Sequence, residues 1–452
     1  MSSAIHNIND LVTNIHDIGK RFSFAVTGGG STSIGYLMSQ PGASRTILEF
    51  YVPYAEEATL DYINNNLGPD HKIESFASRD TAILLSEAAH RRSTKIMTTQ
   101  CSDIQELRSL TRVVGIGATA SLVSKNWKKG DHRIHVSLFT NENFTTFSLN
   151  LYKGTMMKQF RTREQEEDLC GKLILAVIAF ECEIFDTFGV VEFLNSNGLD
   201  SKDNLIIGDT IINNNLSSLI DGSSQNVLCL PQKDGSIIQV TNVPIHLLGQ
   251  YTENKPKLVS LPGSFNPLHI GHTSSLEKAI TILEKAITIN ATKNANVCGF
   301  YELSVSNVDK PQITIEELTK RLGNFSMQKY PLFLTNAPKF IDKSIQYPGI
   351  DYVMGVDTVI RLIDKSYTDN NEEKMTLLLK NIVNNGTRFF VLPRVFGVAN
   401  IAPSFRVQLE NDQVLTYSMI KFAIPSILLP YFTEIENNDY NNISSSKIRK
   451  YS

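Results

Sequence analysis

His269 and His272 stand three residues apart, with Gly271 between them, directly after the run Gly263-Ser264-Phe265-Asn266-Pro267-Leu268. Two imidazoles at that spacing share one side of a first helical turn, and both can donate hydrogen bonds to the same anion. Gly263 and Gly271 let backbone approach a ligand with no side chain in the way. A helix that begins just after such a turn aims free N–H groups and its positive dipole end at the same place. The chemistry this allows is the holding of a polyphosphate, and His272 is assigned the stabilisation of charge that grows during phosphoryl transfer. Near the far end of the chain lie Ser444, Ser445, Ser446 and Arg449. Ser444 or Ser445 can cap a helix starting near Ser446, and an arginine fork there can hold further phosphate oxygens.

These side chains need a scaffold that delivers them to one edge. Lys257-Leu258-Val259-Ser260-Leu261 reads as a buried parallel strand, Gly263 to Leu268 as the turn, and Gly271 to Ala286 as the following helix. That helix carries a near-duplicated heptad, Ser275–Thr281 and Ile282–Thr288, which sets Ala279, Ile280, Leu283, Ala286 and Ile287 on one face. Two heptads are too few for a coiled coil, so the face is expected to lie on a sheet. Tyr301–Ser304 and Val353–Gly355 read as further strands, with a helix over Thr358–Asp364. Phe389–Leu392 reads as another buried strand, with Arg394 just beyond it.

The ten residues Gly263–His272 and the seven residues Ile443–Arg449 resemble the two signatures of the nucleotidylyltransferase superfamily, G-x-F-x-P-x-H-x-G-H and I-S-S-T-x-I-R. Ser446 departs from the usual Thr. The resemblance implies a Rossmann-like domain with a parallel sheet. In such a domain a phosphate of an acceptor attacks the α-phosphorus of a nucleoside triphosphate and expels pyrophosphate. It also implies roles for single residues. His269, His272 and Arg449 would be catalytic. Gly263, Ser264, Phe265, Asn266, Gly271, Ser444, Ser445 and Ser446 would bind nucleotide. Gly355 and Asp357 match the family's G-x-D at a strand tip, where nucleotides bind, and Asp357 could equally cap the next helix. Lys310, before Pro311, and Arg321 match positions that hold the acceptor's phosphate, against the plainer reading of a solvated Lys and a surface Arg. Arg394 is a further candidate for reaching the nucleotide.

The N-terminal half carries a second resemblance. Phe24-Ala25-Val26-Thr27-Gly28-Gly29, Pro41-Gly42-Ala43-Ser44, Tyr54-Ala55-Glu56-Glu57-Ala58-Thr59 and Val114-Gly115-Ile116-Gly117 follow an amphipathic helix expected over Ile8–Phe22. The succession is similar to the C-terminal domain of the CinA family, the nicotinamide-mononucleotide amidases. At the family's nucleophilic Ser this chain has Ala25, at its Cys it has Val26, and at its catalytic Lys it has Thr59. Alanine has no hydroxyl to attack an amide, and threonine cannot replace a cation. The resemblance therefore implies an α/β domain without the amidase chemistry. Either it keeps a nucleotide pocket or it serves as a dimerisation module, which would make the chain a homo-oligomer. Ser31 or Ser33 is a relocated nucleophile only if a base lies beside it, and the sequence offers none nearby.

At 452 residues, 42% hydrophobic and 20% charged, the chain has room for two or three ordinary globular cores. The expected division is a CinA-like α/β domain over 1–190, a connector with short strands over 191–256, and the nucleotidylyltransferase domain over 257–452. A net charge of −3 gives no basic footprint for nucleic acid. The five cysteines follow no metal-ligand or disulfide spacing. The first ten residues are polar, and the apolar run Leu173–Phe180 is too short to span a bilayer, so a cytoplasmic protein without a membrane partner is expected. The favoured reaction is adenylyl transfer from ATP to nicotinamide mononucleotide, with Mg²⁺ carried by the triphosphate. Phosphopantetheine, or CTP with a phosphorylated alcohol, are the alternatives on the same fold, and a non-catalytic nucleotide sensor is the alternative of another class.

Overall fold

The structure is a computed structural model, described over residues 7–155, 158–208, 211–212, 215–252, 255–290, 296–306, 312–364, 368–395 and 414–435. The chain divides into two compact units, one of residues 1–97 and 109–214, the other of 98–108 and 215–452. Each is a mixed α/β structure around its own sheet.

The first unit opens with helix α1 (Ile8–Ile18), which buries Leu11, Val12 and Ile15. The sequence predicts this helix as far as Phe22. It stops earlier because Gly19 takes the left-handed conformation at its end, φ 80°, and Arg21 starts a strand. The seven-stranded sheet runs β2 (Ile47–Tyr51), β1 (Arg21–Thr27), β3 (Val113–Ser121), β4 (His132–Phe139), β5 (Asn143–Leu151), β6 (Asn204–Ile207), and Ile211–Ile212 also pairs with β5. Strands β1, β2 and β3 are parallel and the rest antiparallel. The apolar run Leu173–Ala179 is fully buried in helix α2 (Arg163–Glu181), whose start is fixed by a capping box between Thr162 and Gln165.

The second unit holds an eight-stranded sheet in the order β8 (Ile237–Thr241), β7 (Asn226–Pro231), β11 (Leu332–Thr335), β10 (Val297–Ser304), β9 (Lys257–Pro262), β12 (Asp351–Gly355), β13 (Phe389–Leu392), β14 (Phe432–Glu434). Every pairing from β11 to β14 is parallel, and β7 and β8 add an antiparallel hairpin at the β11 edge. Taken in chain order, the six parallel strands lie as 3-2-1-4-5-6, the doubly wound Rossmann arrangement. The order reverses between β9 and β12, which opens a crevice at their carboxyl ends.

The stretch 191–256, read from sequence as a connector, supplies β6 to the first sheet and the β7–β8 hairpin to the second. Its short apolar runs each form one strand that joins an existing sheet, and Asn226–Leu230 is buried throughout. Helix α3 (Ile270–Asn290) is longer than its predicted Gly271–Ala286 span. Leu276, Ala279, Ile280 and Leu283 are buried as expected, whereas Ala286 is exposed because the helix outruns the sheet. Among the described residues no helix is long and apolar enough to cross a membrane. All five cysteines are buried and none forms a disulfide.

Beneath the second sheet lies a buried ion pair. Lys343 Nζ and Thr335 Oγ1 both donate to Glu302 Oε1 at 2.5 Å, and Glu302 and Lys343 are each under 5% exposed. Breaking one side of such a pair strands the other. We expect Lys343→Met to destabilise the protein by roughly 3–5 kcal/mol, and the double variant with Glu302→Leu to recover most of that loss. Denaturant unfolding of the two variants checks both; a single variant as stable as the parent would show that the pair holds nothing.

Candidate functional site

The crevice between β9 and β12 gathers most of the residues selected from the sequence. Strand β9 ends at Pro262, and Gly263 N–H donates to the Glu302 carbonyl at 2.9 Å, so the loop leaves the sheet from a fixed point. Phe265 adopts a positive φ of 45°, and the Asn266–Pro267 bond is cis. The Phe265 ring is fully buried, edge-on to Tyr301, Phe325 and His272. The ring packs, and only the Phe265 backbone is left to meet a ligand. A Cβ on Gly263 would fall 2.8 Å from that ring, so glycine is required here first by the loop's own packing.

His269 stands just before helix α3 and His272 lies in its first turn. Their rings stack with centroids 3.7 Å apart and 26° between planes. The His269 backbone N–H donates to His272 Nδ1 at 3.2 Å. A backbone N–H can only donate, so Nδ1 carries the lone pair and the proton of neutral His272 sits on Nε2. Burial pushes the His272 pKa down to about 3, helped by the neighbouring His269 ring and the Arg394 charge. His269 is lowered as well, by burial and then by Arg394. Its Nδ1 is buried and has no hydrogen-bond partner among the described residues. Two neutral imidazoles thus stand at the crevice as donors or acceptors. Gly271, between them, is buried, and its carbonyl accepts from Ser275 Oγ at 2.6 Å.

Across the crevice, Gly355 ends β12 and stands at the N-cap of helix α4 (Val356–Leu362). Asp357 lies in that helix's first turn, not at the cap as one sequence reading had it. Its Oδ1 is 3.5 Å from Arg394 Nε and its Oδ2 is 3.7 Å from Arg361 Nη2. A Cβ on Gly355 would meet Asp357 Oδ1 at 2.3 Å and Arg394 Nε at 2.7 Å, so only glycine admits this arrangement. Asp357 Oδ1 is buried and lacks a hydrogen-bond partner among the described residues. Arg361 was not selected from the sequence; its spacing of four from Asp357 on a predicted helix was the available signal.

Ser264 is exposed, and Asn266 is half-buried beside helix α5 (Ile315–Gly323). Asn266 Nδ2 donates to Glu317 Oε1 at 3.0 Å, and Arg321 Nη1 donates to the Ser264 carbonyl at 3.1 Å. Arg321 Nε also donates to Glu317 Oε1, at 2.8 Å. Arg321 is therefore engaged with the motif loop, and Glu317, which the sequence reading passed over, sits at the centre of this contact. Lys310, Ser444, Ser445, Ser446 and Arg449 lie outside the described residues. Among the described residues no group of three or more His, Cys, Asp or Glu side chains is placed to hold a metal ion.

In the first unit, Ala25 is fully buried on β1. Thr59 is buried, and its hydroxyl donates to the Pro53 and Ala55 carbonyls at 2.7 and 3.1 Å. Ser33 Oγ donates to the Gly30 carbonyl at 2.7 Å. Ser31 does have a carboxylate beside it: its Oγ–H, its N–H and the Gly30 N–H all donate to Glu167 Oε1, at 2.8, 2.7 and 2.9 Å. The three donors tie the Gly30–Ser31 turn to helix α2 through this one oxygen. Glu167 lies far from Ser31 in sequence, which is why the sequence reading missed it.

No family model and no curated protein sequence matches the chain. Solved structures similar to part of it include the competence/damage inducible protein CihA from Agrobacterium tumefaciens, 18% identical, covering 43% of this chain and 99% of that one, with a TM-score of 0.27. A CinA superfamily protein from Escherichia coli is 10% identical over 40% of this chain and 91% of its own, TM-score 0.25. Another from Klebsiella pneumoniae is 13% identical over 40% and 99%, TM-score 0.24. Likeness at this level assigns no activity.

Because the folded pKa of His272 lies below that of an unfolded histidine, near 6.5, the neutral ring favours the folded state. That contribution is complete above about pH 6.5 and is lost as pH falls towards about 3. Nitrogen chemical shifts of labelled histidine should therefore show His272 as the Nε2–H tautomer, unchanged between pH 8 and 5. A titration centred near 6.5, or an Nδ1–H signature, would refute the assignment.

Proposed function

We propose that the second unit is a nucleotidylyltransferase that adenylylates a phosphorylated acceptor, with nicotinamide mononucleotide the favoured acceptor and NAD the product. The observation that carries this reading is the meeting of the His269/His272 pair with Gly355, Asp357 and Arg394 at the switch point of a doubly wound sheet. The choice of acceptor rests on the sequence motifs and, by association, on the N-terminal half's resemblance to amidases of the same mononucleotide.

In the proposed reaction an oxygen of the acceptor phosphate forms a bond to the α-phosphorus of ATP while the bond to pyrophosphate breaks. The chain's task is to hold reactants in line and meet the charge that builds on the phosphate oxygens. His272 Nε2–H is a neutral donor aimed by the bond at Nδ1, so it stabilises that charge without giving up its proton. Arg394 attracts the polyphosphate. Asp357 Oδ1 offers an acceptor to a ribose hydroxyl or to water around a bound ion. Mg²⁺ supplies charge neutralisation when it arrives with the triphosphate, held mainly by phosphates and water. Lys310 and Arg321 are proposed on the acceptor side, and Ser444, Ser445, Ser446 and Arg449 on the β- and γ-phosphates. The first unit is proposed to have lost amidase chemistry and to serve as a nucleotide pocket or a homo-oligomer contact.

The test is pyrophosphate release with Mg²⁺, crossing ATP and CTP with nicotinamide mononucleotide, phosphopantetheine and glycerol phosphate. ATP with nicotinamide mononucleotide should give release and NAD. Another productive pair would keep the mechanism and replace the acceptor. His272→Ala should lower kcat by about 100-fold or more, with triphosphate binding weakened far less. Equal turnover by variant and parent, or silence of the parent across the panel despite triphosphate binding, would replace the enzyme with a nucleotide sensor.

A further inference from the structure

A carboxylate at the mouth of a phosphate site needs a reason, since it repels the ligand that the neighbouring groups attract. In the proposed function Glu317 is such a group, since it meets Asn266 and Arg321 beside the motif loop. It sits in the first turn of α5, whose N-cap Thr314 accepts from the Glu317 N–H at 3.3 Å, and the helix is fixed to the core by buried Leu318 and Leu322. One oxygen, Glu317 Oε1, receives both Asn266 Nδ2 and Arg321 Nε, and Arg321 passes its Nη1 to the Ser264 carbonyl. The loop that carries Gly263–Asn266 is thereby tied at two points, one side-chain amide and one backbone carbonyl, to a helix that cannot shift without disturbing the core.

We propose that Glu317 is a positioning residue: with Arg321 it braces the Ser264–Asn266 segment so that the loop is already in place before an anionic substrate arrives. The carboxylate serves by accepting two hydrogen bonds. It also pairs with Arg321 and so holds that arginine against the loop. Preorganisation of this kind matters in phosphoryl transfer because the protein contributes mainly geometry. The kinetic consequence rests on the nucleotidylyltransferase reading; the brace itself does not.

Two substitutions separate the brace from a charge effect. Glu317→Gln keeps a carbonyl oxygen that can accept both donors, whereas Glu317→Ala removes the acceptor. With the productive substrate pair, Glu317→Ala should lower kcat by roughly 10- to 100-fold, the scale of a small misplacement, while KM for the triphosphate moves little. Glu317→Gln should restore most of the lost turnover. Glutamine behaving like alanine would overturn the brace in favour of a charge effect. A lowered unfolding midpoint with unchanged kcat would reduce Glu317 to a structural residue. Hydrogen–deuterium exchange gives an independent reading even if the parent enzyme turns over none of the substrates. Amides of the segment 262–269 should exchange faster in Glu317→Ala than in the parent, and Glu317→Gln should stay close to the parent. No difference at that segment in Glu317→Ala removes the proposal whatever the activity.

Discussion

Phe265 must bury its ring under a loop that leaves the sheet at Pro262 and enters a helix at Ile270, and the surrounding residues are arranged by that demand. The ring fills the space between Tyr301 of β10, Phe325 beyond α5 and His272 of α3, all edge-on at 5.1 to 5.5 Å. Reaching it takes a positive φ at Phe265 itself and leaves no room for a side chain on Gly263. A buried aromatic of this size is worth about 3–5 kcal/mol against alanine, enough to hold a few residues of loop in an otherwise unfavourable conformation. The same contact sets one face of His272. Motif geometry and core packing are here one problem with one solution.

The sheet order supplies the second constraint. Strands β9 and β12 are neighbours although β10 and β11 intervene in sequence, so the loops after them leave in opposite directions and cannot close over each other. The histidine loop comes from one and Gly355–Asp357 from the other. That is why residues more than eighty positions apart share a crevice, and why Arg394, just past β13, can depress the pKa of both histidines. A parallel sheet buried on both faces also explains the near-continuous apolar runs that marked β9, β12 and β13.

What could be read from the sequence follows from how local each signal was. The strand–turn–helix around Gly263–His272 was legible because its residues are contiguous and their types are constrained by backbone geometry. The starts of α3 and α4 shifted by a residue or two, and α1 ended early at Gly19, since helix ends depend on caps more than on periodicity. The stretch 191–256 was harder. Its strands are short and set in polar surroundings, and only pairing with partners elsewhere in the chain shows which sheet each joins. Glu317, Arg361 and Glu167 went unselected for a related reason: each is an ordinary surface acid or base in sequence, and its meaning comes from the group it meets in space.

Within the crevice the charges are divided by kind. The arginines, Arg361 and Arg394, are permanently cationic and partly exposed, their side chains at 51% and 41%, with Asp357 between them. The histidines are more buried and neutral. A cation that is exposed and always charged attracts a polyanion at a distance but discriminates poorly between its ground state and the charge that develops during reaction. A neutral donor fixed by its second nitrogen attracts little from afar, yet its bond strengthens as negative charge grows on the oxygen it faces. In the proposed reaction, placing the first kind at the rim and the second against the loop separates capture from stabilisation. Keeping the histidines neutral is what preserves that separation, because a protonated pair at 3.7 Å would repel itself and bind any anion indiscriminately.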